Sequence, residues 1–144
     1  MKNNTDIRKS WNNKANVLFI DNPAGVGFSY GKRNVDLLHN DISFRKDALA
    51  FILNFYSYWP KLVTNPLYIF GHSYGGTFAP TLAWAIHICN QELALNASLT
   101  GQHINLKGFI SANGATDFLV DPYISGLELA NEFNLIPNDL FKEY

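Results

Sequence analysis

An apolar run leads directly into a glycine-flanked serine in the stretch Leu67-Tyr68-Ile69-Phe70-Gly71-His72-Ser73-Tyr74-Gly75. The run from Leu67 to Phe70 is typical of a short strand, and the helical spacing of apolar residues from about Thr77 to Leu95 predicts a helix soon after it. A serine in the pattern G-x-S-x-G, between a strand and a helix, is typical of a nucleophile on a sharp turn. The stretch therefore predicts a strand-turn-helix unit that projects Ser73.

The chemistry of such a turn assigns roles to the neighbours of Ser73. A strained backbone has to present the nucleophile, and Gly71 and Gly75 are expected to remove side chains that would collide there. The backbone N–H of Tyr74 then stands at the start of the helix, where it is placed to bind a developing oxyanion with the help of the helix dipole. We therefore expect Ser73 to be catalytic and Tyr74 to contribute to an oxyanion hole.

Two other glycine motifs compete with this interpretation. Residues 71–76 have the glycine spacing of a phosphate-binding loop, but Thr77 stands where that loop requires lysine. Residues 25–27 begin like a dinucleotide-binding fingerprint, but Tyr30 occupies the position of its third glycine. A glycine-rich turn without any catalytic role is the remaining alternative. The predicted flanking strand and helix favour the nucleophile.

Other segments continue an alternation of strands and helices. Asn16 to Asp21 is predicted to be a strand buried on both faces, and a helix is predicted from Asn40 or Asp41 to a stop at Pro60. Leu106 to Ser111 is a further predicted strand, and residues 121–144 are expected to be irregular or helical. Pro80 fits only near the first turn of its helix. This order predicts an α/β fold, with a mostly parallel sheet and helices on both faces.

Composition limits the classes of function. With 144 residues, 47% hydrophobic and 15% aromatic, the chain suits one packed core. Its 11 basic residues nearly balance its 12 acidic ones, so neither a nucleic-acid partner nor an anionic membrane is expected.

Apolar runs such as Ala48 to Leu53 fall far short of the ~20 residues that cross a bilayer. Residues 1–6 contain no apolar stretch of a secretory signal, and Cys89, the single cysteine, excludes an internal disulfide and a cysteine-based metal cage.

Several polar or reactive residues have plain structural interpretations. Asp21 is expected to organise the loop that follows it, and His39 is expected to be exposed to solvent. Tyr30 is predicted either to line a substrate cleft or to fill the core. Cys89 is expected to be an inert core residue.

A long segment resembles the serine carboxypeptidase family of the α/β-hydrolase superfamily. In that family a strand N-V-L-F-hydrophobic-D leads through P-x-G-V-G to F-S-Y, and here the order is Asn16-Val17-Leu18-Phe19-Ile20-Asp21-Asn22-Pro23-Ala24-Gly25-Val26-Gly27-Phe28-Ser29-Tyr30. The serine turn, together with Phe78 and Pro80, resembles the family's G-E-S-Y-[AG]-G…P. Trp11, Trp59-Pro60 and residues 110–117 follow in the family's order and approximate spacing.

This resemblance implies a partial α/β-hydrolase fold, with residues 1–144 forming one incomplete domain around the nucleophile. It implies a hydrolase that removes residues from peptide carboxyl ends through an acyl-serine intermediate at Ser73. The substrate would be a peptide or protein with a free carboxyl end, and no metal or other cofactor would be needed. The implied compartment is secreted, lysosomal or vacuolar, with no nucleic-acid or membrane partner and no indication of oligomeric state.

One departure from the family concerns substrate recognition. The resemblance implies a glutamate before the nucleophile, where it helps to hold the terminal carboxylate of the substrate, but this sequence has His72. A protonated imidazole also attracts a carboxylate, so His72 is expected to bind substrate. G-H-S-x-G is equally common in lipases and esterases. An esterase or acyltransferase on the same scaffold is therefore the second hypothesis.

The other departure concerns the remaining catalytic groups. The family's W-x-N-G-G-P-G block, which supplies a second oxyanion donor, does not occur here, and the triad acid and histidine follow the serine in chain order. His87 lies within the predicted nucleophile helix and His103 lies before the third strand, so neither is well placed to reach Ser73. In the family, the asparagine-glycine stretch that precedes Asp117 forms a wall of the site, so the resemblance does not imply that Asp117 is the triad acid. We therefore expect a fragment with an incomplete triad, and a catalytically inactive binding remnant is the third hypothesis.

Overall fold

A computed structural model of the protein describes residues 10–117 and 123–143. The chain forms two compact units that divide between His39 and Asn40. The larger unit contains, in chain order, α1 (Asp41–Tyr58), β1 (Leu67–His72), α2 (Gly75–Leu95), β2 (Leu106–Ala112), α3 (Tyr123–Glu132) and α4 (Asn138–Phe141), with a short 3-10 helix at Pro60–Leu62. The assignment of residues 1–144 to one incomplete domain stays a prediction.

The two strands form a parallel pair, and a helix connects them. Their register places Phe70 beside Ile110 and His72 beside Ala112. The carboxyl ends of both strands therefore meet at one edge, where Ser73 follows β1. This strand-helix-strand arrangement confirms the predicted α/β class and the parallel sheet.

The sequence around α1 sets its boundaries. The Asn40 side chain accepts hydrogen bonds from the N–H groups of Ile42 and Ser43, at 3.0 and 2.8 Å, and the Ser43 hydroxyl accepts one from the Asn40 N–H at 2.9 Å. Such caps stabilise a helix by about 1 kcal/mol. Trp59 caps the carboxyl end of the helix, so the predicted stop at Pro60 is confirmed, and Pro60 begins a short 3-10 turn.

The core of the larger unit lies between α1 and α2. Phe44 of α1 stacks on Phe78 of α2, with ring centroids 4.0 Å apart. Ile86 of α2 and Ile104, just before β2, are completely buried. The other buried members of this cluster are Ala48, Ile52, Tyr56 and Leu82. Burial of each large apolar side chain contributes roughly 1.5–3 kcal/mol, so this cluster holds the two helices together.

The two faces of the sheet differ in their environment. Leu67 and Ile69 of β1 point to the helical core and are partly buried. Side chains alternate along a strand, so Tyr68 and Phe70 point the other way, together with Ile110 of β2. These three side chains are 62%, 48% and 50% exposed. Among the described residues, the helical core thus covers one face of the sheet, and α2 lies directly against both strands.

Helix α2 begins earlier than the sequence pattern predicts. It starts at Gly75 rather than near Thr77, because the Tyr74 carbonyl already accepts hydrogen bonds from the N–H groups of Thr77 and Phe78, at 3.0 and 3.4 Å. Pro80 consequently lies in the second turn of α2, and its predicted place near the first turn is wrong. The ring removes the N–H that would bond to the Gly76 carbonyl. The helix therefore begins two residues after Ser73.

The smaller unit lacks the strand predicted from Asn16 to Asp21. These residues carry no regular secondary structure, and the Phe19 side chain is 82% exposed. A strand requires a neighbour for its backbone N–H and C=O groups, and no other strand is present among residues 10–39. Two short 3-10 helices, Trp11–Asn13 and Asn34–Leu37, are the regular elements of this part of the chain.

The loop after Asp21 is held by polar contacts within the smaller unit. The Asp21 carboxylate accepts a hydrogen bond from the Phe28 N–H at 2.9 Å, and its carbonyl accepts one from the Ser29 hydroxyl at 2.6 Å. These contacts give Asp21 the loop-organising role that the sequence indicates.

Two other predictions for this unit meet different outcomes. His39 is not an exposed residue: its ring is half-buried, and Nε2 lies 3.0 Å from the Ala24 carbonyl oxygen. The prediction is wrong because the loop folds back over the ring. Tyr30 is 78% exposed, so it does not fill the core, and its place in a substrate cleft stays a prediction.

Candidate active site: the nucleophile elbow

Ser73 occupies a strained turn between β1 and α2. Its φ angle is 59°, in the left-handed region that residues with a side chain rarely adopt. This conformation costs roughly 1–2 kcal/mol and persists only where the surrounding structure enforces it. We call residues 71–76 the elbow. The predicted strand-to-helix elbow at the carboxyl edge of a parallel sheet is therefore confirmed, whereas the catalytic role of Ser73 stays a proposal.

The backbone of Ser73 is fully hydrogen-bonded. Its N–H donates to the Ala112 carbonyl at 3.2 Å, and its carbonyl accepts from the N–H groups of Gly76 and Ala115, both at 2.9 Å. The residue is exposed, and its Oγ makes no hydrogen bond with any residue in the described ranges. The turn thus holds the backbone firmly while the hydroxyl stays open to a reactant.

The two glycines of the G-x-S-x-G pattern are not equivalent. A Cβ on Gly71 would meet the carbonyl group of Gly75, with the carbonyl carbon at 2.5 Å, and would lie 3.0 Å from the Ala79 Cβ. A Cβ on Gly75 would have no described atom within 4 Å. The expected collision is confirmed at Gly71, but it is wrong for Gly75 because the backbone there faces open space.

A third glycine, Gly76, is required by a contact that the motif does not reveal. A Cβ at this position would lie 2.8 Å from the Gly114 carbonyl carbon and 2.9 Å from the Ala115 nitrogen. The turn after β2 therefore packs directly on the first turn of α2. The sequence holds a weak signal of this contact in the turn-forming Asn113-Gly114 pair, but it gives no sign of the partner.

Tyr74 connects the elbow to α1 through its side chain. The phenol hydroxyl donates a long hydrogen bond of 3.4 Å to an Asp41 carboxylate oxygen, and the ring meets Phe78 edge-on with centroids 4.8 Å apart. Tyr74 immediately precedes the first helical residue, where backbone N–H groups have no partner within the helix. This position fits the oxyanion-binding role of its N–H, which stays a proposal.

The four histidines lie in different settings. His72 is the last residue of β1, exposed and next to Ser73. His87 contacts Trp84 on α2, with ring centroids 5.8 Å apart, and His103 is exposed before β2. His39 belongs to the smaller unit. Within residues 10–117 and 123–143, no histidine nitrogen or carboxylate is hydrogen-bonded to the Ser73 hydroxyl.

In the part of the chain that the structure describes, no group of three His, Cys, Asp or Glu side chains is arranged to hold a metal ion. None of the described helices is long and apolar enough to cross a membrane. Cys89 lies half-buried on α2.

Comparison with known proteins gives a consistent picture. The family model described as serine carboxypeptidase matches residues 2–144. Serine carboxypeptidase-like 20 from Arabidopsis thaliana is 34% identical over 136 residues, which are 92% of this chain and 25% of that protein. Serine carboxypeptidase 3 from Hordeum vulgare is 35% identical over 126 residues, which are 88% of this chain and 23% of that protein. The chain thus spans about a quarter of the length of these relatives.

A solved structure agrees with these relatives. The crystal structure of Kex1(delta)p, a prohormone-processing carboxypeptidase from Saccharomyces cerevisiae, matches with a TM-score of 0.54 and 25% identity, covering 83% of this chain and 25% of that one. The residues that the family model matches include the elbow. On this evidence the chain belongs to the serine carboxypeptidase family.

Proposed function

We propose that this chain carries the nucleophile of a hydrolase that removes residues from the carboxyl ends of peptides through an acyl-serine intermediate. The observation that carries the proposal is the backbone of Ser73, held at φ 59° with its hydroxyl exposed. A left-handed φ is uncommon for a serine, and a nucleophile on a strand-to-helix turn requires such a strained backbone. Family membership supplies the reaction class.

In this mechanism the Ser73 Oγ attacks the carbonyl carbon of the last peptide bond. The carbonyl oxygen becomes an oxyanion, which the Tyr74 N–H stabilises at the positive end of α2. The C–N bond breaks, the leaving amine takes up a proton, and the acyl group stays on Oγ. Water then attacks the acyl-serine, releases the shortened peptide as a carboxylate and restores the hydroxyl. The serine needs a base to accept its proton. None of the described histidines is hydrogen-bonded to the Ser73 hydroxyl, so the proposal requires another histidine as this base.

His72 is the proposed recognition group for the substrate. It is exposed, and it directly precedes the nucleophile at the carboxyl end of β1. A protonated imidazole at this position would pair with the terminal carboxylate of a bound peptide. Peptides and proteins with a free carboxyl end are thus the proposed partners, in a secreted, lysosomal or vacuolar compartment by family resemblance.

An esterase or acyltransferase is the second candidate, and His72 is the observation that favours it. A histidine in place of the family's glutamate weakens the case for carboxylate recognition without affecting acyl transfer. Comparing hydrolysis of a peptide that has a free carboxyl end with hydrolysis of an ester separates the two. Preference for the ester, with no cleavage of the peptide, would favour this candidate.

The test of the proposed function is covalent labelling of the protein expressed from its full coding sequence. A fluorophosphonate, which phosphonylates activated serines with loss of fluoride, is expected to add one adduct that peptide mapping places on Ser73. Ser73→Ala should abolish the adduct and the release of carboxyl-terminal residues. Ser57→Ala changes another exposed serine, on α1, and should preserve both. A wild-type protein that neither reacts nor cleaves would contradict the proposal and support the third hypothesis, an inactive binding protein.

A further inference from the structure

We propose that Thr77 is a positioning residue for Ser73, an inference that rests on the proposed catalytic role of that serine. The Thr77 hydroxyl donates a hydrogen bond of 2.8 Å to the Ala115 carbonyl. The N–H of the same alanine donates at 2.9 Å to the Ser73 carbonyl. Ala115 is therefore held on both sides, by the hydroxyl of Thr77 and by the backbone of the nucleophile.

The direction of the Thr77 hydroxyl is unusual for a helical threonine. Such a hydroxyl commonly bonds back to the carbonyl four residues earlier, and Thr81 does so by donating to the Thr77 carbonyl at 2.6 Å. The corresponding acceptor for Thr77 would be the Ser73 carbonyl, which already accepts from Gly76 and Ala115. Thr77 instead leaves its own helix and holds the turn after β2.

This turn determines the conformation of the nucleophile. Gly76 and Gly114 pack backbone against backbone, which brings Ala115 within reach of the elbow. The Ala115 N–H then fixes the Ser73 carbonyl, while the Ala112 carbonyl fixes the Ser73 N–H. A left-handed serine keeps its conformation only under such constraints. Without the Thr77 hydroxyl, Ala115 would be held less firmly. The backbone of Ser73 would then fix the position of Oγ less precisely.

Three substitutions separate positioning from simple packing. Thr77→Val keeps the branched shape and removes the donor, Thr77→Ser keeps the donor, and Thr81→Val removes the other hydroxyl on the same helix. The full-length protein is expected to lose about tenfold in kcat and in fluorophosphonate labelling rate with Thr77→Val, with KM changed less than about twofold. Thr77→Ser and Thr81→Val should stay within about twofold of wild type. A merely structural role would lower the thermal midpoint of both valine variants and leave kcat unchanged.

Hydrogen exchange of the Ala115 amide provides a readout that needs no activity. This amide should exchange about tenfold faster in Thr77→Val than in Thr81→Val, because only the first substitution frees the Ala115 carbonyl. Equal labelling rates, or equal Ala115 exchange, in the two valine variants would overturn the inference. A wild-type protein without labelling would reject the proposed function instead. The exchange comparison would then decide alone whether Thr77 holds the backbone of Ser73.

Discussion

Gly71, the next-to-last residue of β1, lies against the carbonyl group of Gly75, the first residue of α2, so closely that a Cβ on Gly71 would stand 2.5 Å from the Gly75 carbonyl carbon. The chain reverses between these two residues, and Ser73 stands at the apex. Gly75 is not constrained in the same way, because a Cβ added to it would have no described atom within 4 Å. The two glycines of the motif are thus expected to respond differently to substitution.

Gly71→Ala should destabilise the fold by about 1–3 kcal/mol and abolish labelling of Ser73, because its methyl group would push the backbone of α2 away. Gly75→Ala should fold normally and label at close to the wild-type rate, since alanine also favours the helix. Denaturant unfolding and fluorophosphonate labelling of both variants measure these effects. Equal behaviour of the two variants would contradict the asymmetry.

Ser73→Gly is expected to stabilise the protein by about 1 kcal/mol while eliminating labelling. Glycine adopts a φ of 59° without steric cost, whereas serine stores strain there. Ser73→Ala also removes the hydroxyl but keeps the Cβ, so its stability should stay near that of wild type. Thermal or denaturant unfolding of the three proteins compares them directly. A glycine variant less stable than the alanine variant would show that the turn is not strained.

His72 should favour peptides that have a free carboxyl end. A protonated imidazole beside the nucleophile pairs with a terminal carboxylate, so KM for such a peptide should be about fivefold lower than KM for the corresponding peptide amide. His72→Gln should remove this difference. Steady-state kinetics of the full-length protein on the two peptides provide the measurement. Equal KM for acid and amide in the wild-type protein would favour the esterase hypothesis.

Tyr56 should make the fold sensitive to alkaline pH. Burial between α1 and α2 raises the pKa of its phenol above the ordinary value of about 10. The unfolded chain therefore loses this proton first as pH rises, so stability that is fully present below about pH 10 is lost as pH rises through the raised pKa.

The thermal midpoint is expected to fall as pH rises above about 10, and Tyr56→Phe should reduce that fall. Tyr58→Phe is the matched control, because the Tyr58 side chain is 75% exposed. Midpoints measured across this pH range for the two variants and wild type decide the matter. An identical fall in all three proteins would show that Tyr56 is not responsible.

The features that the sequence predicts best are those with a local cause. Apolar spacing and Asn40 mark α1 before any neighbour is known, and the serine between Phe70 and Thr77 indicates an elbow by its pattern alone. The early start of α2 escapes prediction because it depends on hydrogen bonds to the Tyr74 carbonyl that close only when the turn has formed.

Features that depend on distant partners are predicted poorly. Asn16 to Asp21 has the composition of a buried strand, yet a strand exists only where another strand pairs with it. Gly76 and Thr77 lie in the first turn of α2, whereas their partners Gly114 and Ala115 follow β2. Only the folded chain brings these residues together, and the turn-forming Asn113-Gly114 pair is a weak local sign of them.

The bond between Thr77 and Ala115 joins residues that are 38 positions apart along the chain. The bonds from Ser73 to Ala112 and Ala115 have a similar reach, so the elbow cannot acquire its shape while β1 and α2 alone have formed. Contacts of such long sequence separation close late in folding, after the loop entropy of the intervening helix has been overcome. The left-handed turn at Ser73 is therefore expected to form only once β2 has docked, so covalent labelling of Ser73 should be a late marker of folding.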